Sequence, residues 1–292
     1  NMQTLKFARS VLGARNFRIA SESISTEGLR LIIVRHAESV NNVLQDQVEE
    51  LIRKGQCNAE QATERWMLGR EVDPSLSTRG YEQAEYLSKH LVPKLERAAP
   101  SEVLFMASPM KRALETIKPL AAAVNKPVLV HPESYEIGGL YRKGPDGVFY
   151  GAPGLSTREI SDRVLPQADA RMLPAGLAWN HAALAEGKET TAQAAARAER
   201  LASWLRSEVV GRPPSSTTGG QRTLVMVSHS DFIGLTIKAL LGLPVRADPA
   251  LHTDNVSLTH LFLPPAPAAD AAGHGDHGVL RYLNRPAEAG DL

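Results

Sequence analysis

The sequence is poor in three things, and each shortage excludes a class of protein. It has one cysteine, Cys57, in 292 residues. No disulfide framework or cysteine-rich zinc site can form within one chain, and the usage fits a reducing compartment. It has no apolar run of membrane-spanning length. It has almost no net charge: 33 Lys and Arg against 32 Asp and Glu leave +1. No global field therefore draws it to nucleic acid or to a membrane surface, and neither is expected as a partner. Any anion it binds must be held by local Arg and His side chains. There is also no Gly-x-x-x-x-Gly-Lys loop, which excludes nucleotide hydrolysis of that kind, and no internal repeat.

The composition that remains, 43% hydrophobic and 22% charged, is that of an ordinary globule with a sizeable core. Residues 1–21 carry Lys6, Arg9, Arg15 and Arg18 and no acid before Glu22, the composition of a mitochondrial transit peptide. At helical spacing these bases do not gather on one face, so an extra helix or strand packed on the domain competes with that reading. Residues 1–28 are set apart as an N-terminal extension, a candidate targeting segment. The expected compartment is the cytoplasm, with the mitochondrion as the alternative.

Hydrophobic periodicity predicts alternating strands and helices. Strands are expected at about 29–34, 103–106, 128–130, 223–228 and 256–263, with 279–283 returning as an antiparallel edge. Helices are expected at about 43–54, 59–69, 78–97, 190–209 and 231–241. Pro93 is expected to kink or end the third helical stretch. Gly242 and Pro244 should stop the last. Ser108 reads as an N-cap with Pro109 at the first helical position, opening a helix whose buried face carries Ala113, Ile117, Leu120 and Val124. Residues 138–188 read as irregular, with short helical pieces such as 156–164. Residues 264–278 read as flexible, with His274 and His277 in solvent. Cys57 reads as a bystander thiol in a polar helical stretch.

The chemistry sits at the ends of these elements. Leu29 to Val34 is an apolar run that suits a buried strand of a mostly parallel sheet, and it ends in Arg35-His36-Ala37-Glu38-Ser39. Reactive groups gather at the carboxyl ends of such strands. Ser108-Pro109-Met110-Lys111-Arg112 places a second Arg at the start of a helix. Val225-Met226-Val227-Ser228-His229 ends a second apolar strand in a second His, and Glu136 precedes Gly138-Gly139. Two His, two Arg and one Glu at element edges are the parts needed to move a phosphoryl group through a histidine.

In these residues the chain resembles the histidine phosphatase superfamily, which includes the cofactor-dependent phosphoglycerate mutases and many phosphatases. The matching motifs are Arg35-His36-Ala37-Glu38-Ser39 with Asn42, and Leu76-Ser77-Thr78-Arg79-Gly80 followed by Gln83-Ala84. After them come Ser108-Pro109 with Arg112, Glu115 and Thr116, and then Ser228-His229. They follow the family's order from about Leu29 to about Leu263. The resemblance implies a three-layer α/β/α sandwich with a mainly parallel sheet, spanning 29–292 as a single domain. Short members connect Asn42 to Leu76 more tightly, so about 43–75 reads as an insertion and a candidate lid or substrate wall. A second insertion covers about 138–188.

The resemblance also implies roles. His36 is the expected nucleophile. Arg35 and Arg112 are expected to grip phosphate oxygens with planar, permanently charged forks. His229 is expected to donate to the phosphoryl oxygens, best when protonated, and Asn42 to add a neutral donor. Glu38 and Glu115 read as structural partners of nearby Arg or backbone donors. The general acid lies between Glu136 and Glu133: counting from Pro127-Val128 favours Glu136, while the distance forward to Gly138 suits Glu133 almost as well. No metal and no cofactor is expected. The expected activity is metal-independent hydrolysis of small-molecule or protein phosphomonoesters through a phosphohistidine. The alternatives are a cofactor-dependent phosphoglycerate mutase, with Arg142 or Lys143 on the substrate carboxylate, and a non-catalytic phosphate-binding scaffold. The segment after Asn42 lacks the mutases' tryptophan-containing pattern, and the Glu-to-Gly spacing departs from theirs.

Overall fold

The computed structural model describes residues 28–98, 102–211, 221–265 and 277–289. All but the last residue of the candidate targeting segment 1–28, His274 and most of the predicted flexible stretch lie outside them. The central sheet has seven strands: β1 (Leu29–Arg35), β2 (Glu102–Ala107), β3 (Val128–Val130), β6 (Ala168–Asp169), β7 (Arg222–Ser228), β8 (Leu258–Leu263) and β9 (Val279–Arg285). The missing numbers, β4 (Tyr141–Lys143) and β5 (Phe149–Gly151), form a separate hairpin. The order across the main sheet is β6-β3-β2-β7-β1-β8-β9. The first five are parallel, β8 runs antiparallel to β1, and β9 returns antiparallel to β8 as the predicted edge.

Successive residues of β1 enter opposite cores because side chains alternate across a strand. Ile32 and Val34 face a layer built by α3 (Thr78–Ala98) and α4 (Lys111–Val124), where Leu87, Leu91, Ile117 and Leu120 are buried. Leu29, Leu31 and Ile33 face α6 (Thr191–Trp204, continued as a π-helical stretch Leu205–Val210) and α7 (Ser230–Leu240), against Ala198, Leu201, Phe232 and Ile237. Each such aliphatic side chain contributes about 1.5–3 kcal/mol on burial. The result is the three-layer α/β fold. No helix among the described residues is long and apolar enough to cross a membrane.

Four local expectations need correction. The first helix, α1, spans Val40–Arg53, three residues earlier than its apolar pattern begins, because Ser39 and Asn42 form a capping box. Helix α3 runs through Pro93 to Ala98; packing against α4 outweighs one lost hydrogen bond. Helix α4 begins at Lys111 with Met110 as its cap residue, so Ser108 is not the N-cap and Pro109 precedes the helix. The Ser108 hydroxyl instead accepts from the Met110 N–H at 3.2 Å, a local turn that competes with capping. Strand β8 starts at Leu258, because Val256 takes a left-handed φ of 55°.

The segments read as insertions carry structure of their own. Helix α1 packs on α2 (Ala59–Gly69) through Val48, Ala62 and Cys57, so Cys57 is a buried part of that seam, in the turn between the helices. Between 138 and 188 lie the β4–β5 hairpin, the short helix α5 (Thr157–Glu159, continued to Val164), strand β6 and a 3-10 turn (His181–Glu186).

Candidate active site

Register places the two histidines. Arg35 of β1 pairs with Ser228 of β7, and Ala107 of β2 pairs with Val227. The residues that follow, His36, His229 and Ser108, therefore leave three adjacent parallel strands within one residue of the same level of the sheet. Neighbouring strands are about 4.8 Å apart, and the imidazole centroids of His36 and His229 lie 5.1 Å apart.

The tautomer of His36 follows from its partners. Its Nδ1 lies 2.7 Å from the Ala37 carbonyl, which can only accept, so Nδ1 carries the proton. Nε2 then holds a lone pair, and Arg112 Nε donates to it at 3.1 Å. Burial, followed by the charges of Arg112 and Arg35, holds the His36 pKa well below the ordinary histidine range. His36 is a neutral imidazole whose one basic nitrogen lies against an arginine.

His229 is wholly buried, and its Nε2 lies 2.8 Å from Ser108 Oγ. The Ser108 oxygen already accepts from Met110, so its own proton is best used on His229 Nε2. The ring proton then sits on Nδ1, a buried atom with no partner among the described residues. Burial first, then Arg112, pushes the His229 pKa well below its usual value, so His229 is also neutral here. The charges of Arg197 and Arg35 act in the same direction.

The arginines are anchored. Arg35 NH1 donates to the Thr253 carbonyl, and Arg35 feels the charges of Glu136, Asp254 and Asp231. Arg112 is the second residue of α4 and is balanced mainly by Asp73 and then Glu136. Asp73 Oδ1 accepts from the Lys111 N–H at 3.0 Å, and burial pushes its pKa up to about 6.

Of the two candidate acids, only Glu136 lies at this cluster. Its Oε1 accepts from the Ile137 N–H at 2.8 Å and from the Phe232 N–H, in the first turn of α7, at 3.1 Å. Burial and then Asp231 raise its pKa; the two N–H bonds and Arg112 oppose the rise. Glu133 instead pairs with Arg200. Asn42 has its Oδ1 occupied by the Ser39 N–H and hydroxyl, each at 3.0 Å, so towards any ligand it can only donate through Nδ2.

The supporting shell is dense. Thr116 Oγ1 accepts from the Ala37 N–H at 2.9 Å and donates to the Arg112 carbonyl at 2.7 Å, linking the turn after β1 to the start of α4. Glu38 accepts from Ser77 at 2.6 Å and from Arg79 at 3.3 Å, and Glu115 accepts from the Leu76 N–H at 2.8 Å, as expected of structural carboxylates. Gly80 packs so closely that a Cβ there would lie 2.0 Å from the Glu38 carbonyl oxygen.

Residues unpredicted from sequence complete the site. Asn255 Nδ2 donates to the His36 carbonyl at 2.7 Å, and the Val256 N–H donates to the Arg35 carbonyl at 3.0 Å. A left-handed β-branched residue costs about 1–2 kcal/mol, and this contact holds it in place. Their only sequence signal is the turn-forming pair Asp254-Asn255. Arg197, 2% exposed, donates to Glu189 at 2.8 and 2.7 Å and to the Glu133 and Tyr135 carbonyls at 2.8 Å each. Its guanidinium lies 3.5 Å from the centroid of the Tyr135 ring and 4.0 Å from that of Phe232. Glu189 also accepts from the Gly138 N–H at 3.2 Å, so the pair fastens both sides of Glu136.

The chain matches solved structures over most of its length. A protein described as mycobacterial hydrolase 2 is 23% identical, with a TM-score of 0.52, covering 89% of this chain and 92% of its own. The mycobacterial glucosyl-3-phosphoglycerate phosphatase in complex with inorganic phosphate is 22% identical, with a TM-score of 0.50, covering 89% and 99%. The alpha-ribazole phosphatase of Shigella flexneri is 19% identical, with a TM-score of 0.50, covering 90% and 100%. At these identities the likeness establishes the fold. No curated protein matches the sequence. The family model of the histidine phosphatase superfamily (branch 1) matches residues 31–143 and 150–265, and the chain belongs to that superfamily.

Proposed function

We propose that the protein hydrolyses phosphomonoesters through a phosphohistidine formed on His36, without a metal ion. The observation that carries this reading is the fixed tautomer of His36: Nδ1–H is committed to Ala37, and the Nε2 lone pair accepts from Arg112, with Arg35 near enough to act on the ring and Glu136 near enough to act on both arginines.

His36 Nε2 attacks phosphorus in line as the ester P–O bond breaks. The leaving oxygen takes a proton from Glu136, whose pKa burial raises, the direction that a proton donor needs. Arg35 and Arg112 hold the equatorial oxygens and supply the positive charge that a divalent cation supplies in other phosphoryl-transfer sites. His229 Nδ1–H and Asn42 Nδ2 add donors. A phosphoryl dianion between the rings also favours protonation of His229, the form that stabilises the transition state best. Water then attacks the phosphohistidine, giving its proton to the Glu136 carboxylate. Inorganic phosphate leaves, and His36 returns neutral. The substrate is a small-molecule or protein phosphomonoester. The named phosphatases among the structural neighbours favour hydrolysis over mutase transfer.

The test is rapid-quench hydrolysis of radiolabelled p-nitrophenyl phosphate in EDTA. An acid-labile phosphoenzyme that vanishes in His36→Ala is the expected result. Phosphate release without it, or release that EDTA abolishes, refutes the mechanism. Activity on 3-phosphoglycerate only with 2,3-bisphosphoglycerate present would make the protein a mutase.

A further inference from the structure

Against Gly138, two residues after Glu136, lies a group of cations that the phosphoryl chemistry does not use. Arg70, at the end of α2, donates through NH1 to the Tyr141 carbonyl at 3.1 Å. Its guanidinium lies 4.3 Å from the Tyr141 ring centroid and 4.8 Å from that of Trp66. Lys188 Nζ lies 4.7 Å from the Tyr141 centroid and 5.1 Å from that of Phe149. One aromatic side chain thus gathers one cation from each of the two segments read as insertions.

Neither cation is ion-paired with a carboxylate among the described residues, and Arg70 Nε is buried with no hydrogen-bond partner. Arg70 also lies close enough to Arg112 for their charges to oppose each other. Unneutralised cations gathered by an aromatic ring at the edge of an anion site repel one another until an anion arrives.

The cluster's place defines which part of a substrate meets it. A Cβ on Gly138 would lie 3.2 Å from Tyr141 Cε1 and 3.3 Å from Lys188 Cε. The cluster therefore packs against a residue two positions from Glu136. On the proposed function, on which this inference rests, Glu136 protonates the departing alcohol. The cations thus border the alcohol portion and not the phosphoryl group, which Arg35 and Arg112 already serve. We propose that Arg70 and Lys188, set on Tyr141, form a subsite for a second anionic group, a carboxylate or a further phosphate, carried on the substrate's alcohol portion.

The test uses three esters alike except at the far end: propyl phosphate, 2-carboxyethyl phosphate and propane-1,3-diyl bisphosphate. The wild type should favour at least one anionic ester over propyl phosphate by tenfold or more in kcat/KM, and which one identifies the group. Arg70→Gln and Lys188→Gln should each shrink that ratio about tenfold, with Arg70→Lys restoring part of it. A ratio keeps its meaning if a variant is partly unfolded, and the exposed Lys188 serves if Arg70→Gln does not fold. Equal use of all three esters, or variants that slow every ester alike, overturns the subsite. Calorimetry of the three esters on His36→Ala reads binding without turnover. Tighter binding of an anionic ester there, lost with Arg70→Gln, upholds the subsite even if the wild type hydrolyses nothing, in which case the phosphatase reading fails alone.

Discussion

Replacing Arg197 by Met tests whether the acid's loop is held by a buried ion pair. Met keeps most of the aliphatic volume between Tyr135 and Phe232 but removes the charge and all four donated bonds. Glu189 is left as a largely buried carboxylate without its cation, and two backbone carbonyls lose their donor. Breaking a buried pair from one side costs about 3–5 kcal/mol, a large share of the roughly 5–15 kcal/mol that holds a typical domain together. Glu189→Gln should also be costly, since it strands a guanidinium that is 2% exposed. The double variant Arg197→Met/Glu189→Leu should lose less than the sum, with a coupling of about 1–3 kcal/mol. The assay is urea unfolding at pH 7 followed by far-UV dichroism and tryptophan fluorescence. Single losses under about 1 kcal/mol, or strict additivity, would refute the reasoning. The same folded variants give a kinetic readout. Because Arg197 and Glu189 fasten residues 133–138, turnover of alkyl phosphates, which on the proposed mechanism need Glu136, should fall more than that of p-nitrophenyl phosphate. Equal loss on both would mean the pair does not position the acid.

Three further outcomes are expected. Gly80→Ala should destabilise by more than about 1–2 kcal/mol and depress turnover, since its Cβ meets the Glu38 carbonyl oxygen at 2.0 Å; an unchanged urea midpoint would contradict the close approach. Ser108→Ala should cost about 1 kcal/mol in stability and slow turnover about tenfold by freeing the His229 ring, while Ser108→Thr, which keeps the hydroxyl, should retain more activity. The pH dependence of stability should show His131, which is buried with a pKa pushed down to about 4 by desolvation. Above about pH 6.5 it is neutral folded or unfolded and contributes no slope. Below that the unfolded chain takes up a proton the folded chain refuses, so stability falls between about pH 6.5 and 4, by on the order of 2–3 kcal/mol. His131→Gln should flatten that part of a urea-midpoint profile, and an unchanged slope would show that other groups govern it.

The strand and helix order was legible because nearly every element has one clear burial pattern. Strands β1 and β7 are apolar on both faces, which only an interior parallel strand needs. Misreadings fell where polar side chains choose between two local bonds. Asn42 closes a capping box and so starts α1 early, while Ser108 spends its hydroxyl on Met110 and His229 and so starts α4 late. Of the two outcomes expected at Pro93, a kink or an end, the end does not occur, because its neighbours Leu91 and Leu95 are held in the core.

The two halves of the site differed in legibility for a physical reason. His36, Arg35 and His229 follow strands whose register aligns them, and Arg112 opens the helix after a third strand, so the apolar pattern that marks the strands also marks the residues proposed to hold phosphate. The leaving-group side has no such register. Glu136 lies in a loop, and spacing could not separate it from Glu133. What separates them is long-range: Arg200 takes Glu133, the first turn of α7 takes Glu136, and Arg197 with Glu189 fastens the backbone around it. Arg197 read only as one polar residue of an amphipathic helix, and Arg70 and Lys188 lie over a hundred positions apart until Tyr141 brings them together. On the proposed function, the charge that recognises a phosphoryl group is thus local to strand ends. The groups proposed to surround the departing alcohol are assembled from separate segments, and there substitution is expected to change which alcohol is accepted while leaving the residues around His36 in place.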